Sequence, residues 1–329
     1  MSRILVTGAT GFVGSHIAER LKGLGHQVVT VARASSSVGF LEKLGVELVR
    51  GDLTDPTVVS QAMKGVDAVV NAAAKVGDWG PVEDYRQVNV GSLALLLEQA
   101  RKQKPRFVHI SSLGVYEARD HDQTDETTPI PDHHMDGYTQ TKVEAEKLAL
   151  GYFKTYGVPV VVLRPGFVYG PRDRTVLPRL MQSLRDGIVR YIGSKEKAMN
   201  TIYVGNLVDA VMLALEKPQA VGNVYNLTDD ELVTKQRFME TIAEHAAVPK
   251  PTKTVPMGVA KVLAATLESV AKLRGKKEAP RLTRARIKFL GLNLSFSCAK
   301  AKRELGYQPH TDFATGMKET IEWWNREAH

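Results

Sequence analysis

The chain has 329 residues, 43% hydrophobic and 24% charged, with one cysteine and a formal net charge of +8. Such a length and composition bury a full core, which excludes a disordered chain and an integral membrane protein. The lone Cys298 excludes an internal disulfide and is expected to be a small structural residue.

No apolar run is long enough to span a bilayer, and Met1-Ser2-Arg3 runs straight into the first strand without a signal-peptide core. A cytoplasmic location is therefore expected. The run from Ile4 meets Thr7-Gly8-Ala9-Thr10-Gly11-Phe12-Val13-Gly14 and continues as a helical pattern through Ile17, Ala18 and Leu21. This predicts a strand, a tight glycine turn and a helix. Glycine serves such a turn where the backbone bends sharply, where it approaches a pyrophosphate, and where helix packs on strand. The helix N-terminus then offers free N–H groups and a positive dipole end to the phosphates. Gly8, Thr10, Gly11, Phe12, Val13 and Gly14 are the candidate dinucleotide contacts, with an ordinary strand-to-helix turn as the alternative.

His26–Val31 reads as the second strand, Val46–Val49 as the third and Val66–Val70 as the fourth, with short helical segments between. An acidic side chain ending the second strand would bind a free 2′-hydroxyl and repel a 2′-phosphate. Here Ala32 and Arg33 stand there, with Ser35 and Ser36 as further donors. NADP(H) is therefore favoured, with NAD(H) as the alternative. Asp52, beside Leu53, is placed to meet the adenine, and Ala72 and Ala73 after the fourth strand offer small surfaces for a ribose to pass. Trp79, on the loop Gly77-Asp78-Trp79-Gly80-Pro81, would either bury an apolar substrate or simply pack its loop.

A long helix is expected over about 83–101, and Asn89 within it would hold a proton-relay water or serve as a buried structural amide. Pro105–Ile110 is the fifth strand, 137–156 a helix and Val158–Leu163 the sixth strand. Alternation of this kind predicts an α/β Rossmann fold, a doubly wound parallel sheet. Its boundary is placed at 170, with elements borrowed from 200–229 and a smaller mixed substrate lobe over 171–329. Substrate is expected between the two, at the carboxyl ends of the strands.

Tyr138 and Lys142 stand four apart, on one face of the predicted helix. The lysine is expected to lower a phenol whose ordinary pKa is about 10, making it a usable acid and base. Ser112, ending the fifth strand on the same edge, would hydrogen-bond a carbonyl. These three make a carbonyl/alcohol redox site. His121, His133 and His134 lie between them, but no acidic or cysteine ligand stands at a metal-binding spacing, so no metal is expected.

Eight basic residues between Lys272 and Lys288 face one acid, Glu278, so the remainder of the chain is nearly neutral. With the charge so localised, no nucleic-acid partner is expected. The run follows an amphipathic stretch from Met257 to Leu273. A solvated basic face is favoured over peripheral membrane contact through 257–288.

Taken together, the chain resembles the extended short-chain dehydrogenases/reductases of the NAD-dependent epimerase/dehydratase superfamily. Within them it is similar to the branch of 3β-hydroxysteroid dehydrogenases and 2-alkyl-3-oxoalkanoate reductases. The resemblance rests on Thr7–Gly14, Gly51-Asp52-Leu53, Asn71–Ala74, Val88-Asn89-Val90, His109–Ser112, Tyr138-x-x-x-Lys142, Leu163–Pro171 and the closing segment Phe296–Trp324. It implies that Tyr138 is the general acid/base, that Lys142 also binds the nicotinamide ribose, that Ser112 orients the carbonyl, and that Pro165 to Val168 meet the nicotinamide. Members that dehydrate sugar nucleotides carry an acidic pair where Leu113 and Gly114 stand here, which argues against dehydration. A homodimer through the helices at about 83–101 and 137–156 is also implied.

The expected function is NADP(H)-dependent hydride exchange with a ketone or secondary alcohol of an apolar substrate such as a β-keto acid or sterol. A nucleotide-sugar epimerase that retains its cofactor is the alternative, kept open by Arg172, Arg174 and Arg179. A cofactor-sensing regulator without catalysis would have no need of Ser112, Tyr138 and Lys142 together.

Overall fold

A computed structural model describes residues 1–276 and 278–327. Seven strands form one parallel sheet: β1 (Arg3–Thr7), β2 (Gln27–Ala32), β3 (Glu47–Arg50), β4 (Ala68–Asn71), β5 (Arg106–Ile110), β6 (Val160–Pro165) and β7 (Val224–Leu227). Their order is β7-β6-β5-β4-β1-β2-β3. Six of them follow from the alternation before residue 170, and β7 comes from the segment 200–229. Val160, Val161, Val162 and Leu163 have no exposed surface, as a strand covered on both faces requires.

The covering layers explain that burial. One face is packed by α1 (Phe12–Gly23) and the helix Val204–Glu216, through Ile17, Leu21, Leu207 and Val211. The other is packed by α2 (Ser92–Gln103) and α3 (Gly137–Tyr156), through Leu93, Leu96, Ala145 and Ala149. Asp136 caps α3 by accepting from the Thr139 N–H at 2.7 Å, and Gly157 ends it at a φ of 67°. A third core, around Tyr169, Phe238, Phe313 and Met317, belongs to the cap beside the sheet. There α4 (Met257–Leu273) lies on a small apolar cluster of its own, with Ala260 and Ala264 against Ile192 and Ile287.

The single helix expected over 83–101 is interrupted. Residues Val82–Arg86 are α-helical, Gln87–Gly91 form a π turn, and α2 begins at Ser92. The wider turn points Asn89 inward to the loop that follows β4, a local demand that apolar periodicity does not register. Among the described residues, no helix is long and apolar enough to cross a membrane.

Candidate active site

The cofactor cradle is built by close approach. Gly8 has a φ of +72°, and a β-carbon there would come within 2.9 Å of the Ala73 backbone. At Gly14 one would come within 2.3 Å of the Gly8 carbonyl oxygen, so neither position tolerates a side chain. The Ala73 N–H donates to Thr7 Oγ1 at 3.1 Å, locking the loop after β4 against the turn. Gly11 is the N-cap of α1 and brings no side-chain cap, and the first turn carries no acid. The leading N–H groups of Phe12 and Val13 thus face an anion site with nothing on the helix to repel it, while Thr10 and Gly11 are exposed at the mouth. These features fit a dinucleotide pyrophosphate.

Where the adenosine is expected, Asp52 Oδ1 accepts from the N–H and the hydroxyl of Thr54, holding that carboxyl below its ordinary range. The nearby Arg33 guanidinium assists. Arg33 is exposed and has no ion-pair partner among the described residues, and Ser36 closes a turn onto its carbonyl oxygen at 3.0 Å. Where the resemblance puts the nicotinamide, Pro165 closes β6 and Val168 lies in the short strand Phe167–Tyr169, paired with Thr201–Tyr203. A β-carbon on Gly166 would strike the Asn200 carbonyl oxygen at 1.9 Å, so the strand switch demands glycine.

Ser112, Tyr138 and Lys142 come together where β5 ends and α3 begins. Lys142 is 4% exposed, and its ammonium donates to the Ile110 carbonyl at 2.7 Å. It lies 5.9 Å from the Tyr138 ring centroid. Burial pushes Tyr138 up to about 12; the Ser112 hydroxyl works against that rise, and the Asp136 carboxylate adds to it. Burial also brings Lys142 down to about 8, with Glu146 opposing. The expectation that Lys142 lowers the phenol is thereby corrected. Its ammonium is turned to a backbone carbonyl, and desolvation outweighs any charge it offers the ring.

Beneath the three residues lies a buried polar floor that sequence reasoning passed over. Glu146 receives both Arg164 Nε, at 3.0 Å, and Nη2, and accepts from Ser111 Oγ at 2.8 Å. Arg164 Nη1 donates to the Tyr116 hydroxyl at 2.7 Å, which donates in turn to Asn226 Oδ1 on β7. The Glu146 and Arg164 side chains are 3% and 5% exposed. The signal was present in the spacing: Glu146 stands four residues after Lys142 on the same face of α3.

Lys288 was noted only as one of a basic run, yet its ammonium donates to the carbonyls of Gly114 and Tyr116, at 2.5 and 3.2 Å. It therefore fastens the turn that follows Ser112. Arg284 pairs with Glu268 and Arg286 with Asp78, so the end of the run from Arg284 to Lys288 is internal scaffolding; Lys277 lies outside the described residues.

Asn89 is fully engaged by protein. Its carbonyl accepts from the Lys75 N–H at 2.7 Å, and its amide donates to the Lys75 carbonyl and to Thr141 Oγ1. The arrangement matches a structural amide. Trp79 donates its indole N–H to the Lys276 carbonyl at 3.0 Å, so it fastens its loop to the cap. His121 sits in a strand pair bonded to Thr124 and to the Glu117 carbonyl, while His133 is exposed.

The profile of the NAD dependent epimerase/dehydratase family matches residues 4–228. The chain belongs to this family. It is 33% identical to a 2-alkyl-3-oxoalkanoate reductase of Shewanella oneidensis, over 97% of this chain and 85% of that protein. It is 31% identical to a decarboxylating sterol-4-alpha-carboxylate 3-dehydrogenase of Candida albicans, over 99% of both chains. Among solved structures it is similar to gox2253, with a TM-score of 0.82, 28% identity and 99% of both chains covered. A UDP-glucose 4-epimerase of Thermotoga maritima, at 23% identity and a TM-score of 0.79 over 99% and 100% of the chains, shares the fold. This family member is thus an extended short-chain dehydrogenase/reductase, a nicotinamide-dependent enzyme of the dehydrogenase/reductase kind.

Proposed function

We propose that the enzyme reduces a ketone on an apolar substrate, a long-chain β-keto acid or sterol-like molecule, with NADPH as the preferred cofactor. The observation that carries this reading is the convergence of Ser112, Tyr138 and Lys142 at one edge of the sheet, with Leu113 and Gly114 where a dehydratase would need acids. The nicotinamide, when bound, supplies hydride to the carbonyl carbon. Ser112 donates a hydrogen bond to the carbonyl oxygen and Tyr138 delivers the proton to it. A phenol raised to about 12 stays protonated near neutrality, which suits an acid poised for reduction. Lys142, buried with its ammonium on the Ile110 carbonyl, would meet the nicotinamide ribose.

Arg33, exposed and in no ion pair among the described residues, supports the 2′-phosphate preference. The apolar substrate is supported by the two relatives named above. Of the three arginines a nucleotide diphosphate would call on, Arg172 is held by Glu19 at 2.5 Å and Arg174 by Glu327 at 3.6 Å, while Arg179 is exposed with no ion-pair partner among the described residues.

Tyr138→Phe tests the assignment. The variant should bind NADPH with unchanged affinity, read by quenching of protein fluorescence, and lose about 10²-fold or more in turnover. Turnover equal to the parent would overturn it.

A further inference from the structure

We infer that α4 is a docking surface for an anionic lipid bilayer. Val259, Val262, Leu263, Val270 and Leu273 are 57%, 68%, 47%, 39% and 88% exposed. At 3.6 residues per turn they fall within about 100° of arc on one side of the helix. Thr266, also on that side, turns its hydroxyl back to the Val262 carbonyl at 3.0 Å. The opposite side, through Ala260, Ala264, Glu268 and Ala271, is buried against the cap. Scattered exposed apolar residues are ordinary, but a continuous stripe along one helix marks a contact surface.

Charge selects the partner. Lys261 and Lys272 stand on the shoulder between the stripe and the buried side, and Arg274, Lys276 and Arg281 follow the helix. All five are exposed and have no ion-pair partner among the described residues. The one acid on α4, Glu268, is buried and bonded to Arg284. A second copy meeting this patch across a two-fold axis would set cations against cations, whereas anionic headgroups answer them while the stripe enters the acyl boundary. The mouth of the site is coupled to this surface. Trp79 ties its loop to the Lys276 carbonyl, and Asp78 ties the same loop to Thr283 and Arg286. A bilayer under α4 would thus lie beside the site's own rim, where an apolar ketone would be drawn from the lipid. The docking itself does not depend on the reduction proposed above.

The test is co-sedimentation of the full chain with vesicles of phosphatidylcholine alone and of phosphatidylcholine mixed with phosphatidylglycerol. The protein should pellet with the mixed vesicles, remain in solution with phosphatidylcholine alone, and be released by high salt. The double variant Leu263→Glu/Leu273→Glu should lower the partition coefficient by tenfold or more, roughly. Its circular dichroism and NADPH affinity should match the parent. No binding to mixed vesicles, or equal binding by the variant, would overturn the inference. So would a parent that is dimeric by light scattering without lipid but becomes monomeric on the same substitutions, since the stripe would then be a subunit interface.

Discussion

The floor beneath the reaction centre and the surface of α4 use charge in opposite ways. On the floor, Glu146 and Arg164 are buried, and every contact they make serves to hold a side chain. On α4, cations stay in water beside exposed apolar residues. The contrast separates two tasks: the floor holds side chains beneath the proposed reaction centre, and the cap presents the proposed docking surface. A buried pair is costly to break, while an exposed charge is cheap to change and acts on partners.

The largest effect expected from this contrast is on stability. Glu146→Ala leaves Arg164 buried without a counter-charge and should cost about 3–5 kcal/mol, read by urea unfolding. Leu263→Glu on α4 should stay within about 0.5 kcal/mol of the parent. Similar losses at both positions would erase the distinction.

The pH dependence sharpens it further. Lys142 sits at about 8 in the fold against an ordinary 10.5, whereas Tyr138 stays protonated far above neutrality. The reductive rate should therefore fall as pH climbs through about 8, with the ammonium as the titrating group. The stability contribution runs the other way. Between about 8 and 10.5 the unfolded chain binds the proton more readily than the fold does, so the Lys142 contribution rises with pH there. A rate that instead rose through that window would show a different group in control.

Lys288 joins the two regions, reaching from the cap to the carbonyls beside Ser112. As a positioning residue, its change to Met should lower kcat by about tenfold with KM for NADPH unchanged, and Lys288→Arg should restore part of the loss. A change confined to KM would place it in binding instead. An effect of similar size is expected at Arg33: Arg33→Ala should raise KM for NADPH by about tenfold and leave NADH unaffected, measured by steady-state kinetics.

Much of the sheet half was legible in the sequence because its signals are local. Gly8 and Gly14 mark a turn whose geometry forbids side chains, and Tyr138 and Lys142 share a helical face by spacing alone. What escaped notice depends on contacts across the chain. The inward turn of Asn89 answers the backbone of Lys75, and Lys288 reaches the site across 174 residues of sequence. No periodicity encodes such meetings. The upward direction of the Tyr138 pKa has a related origin, since burial is set by everything that covers a group.

The central claim is tested most directly by following NADPH absorbance, with NADH in parallel, as the purified enzyme meets a long-chain β-keto acid, a 3-ketosteroid and a UDP-4-keto sugar. Net oxidation of NADPH, faster than of NADH, with one of the two apolar ketones is the predicted result. Consumption of neither with those ketones, in a protein that retains tightly bound cofactor and interconverts nucleotide sugars, would contradict it.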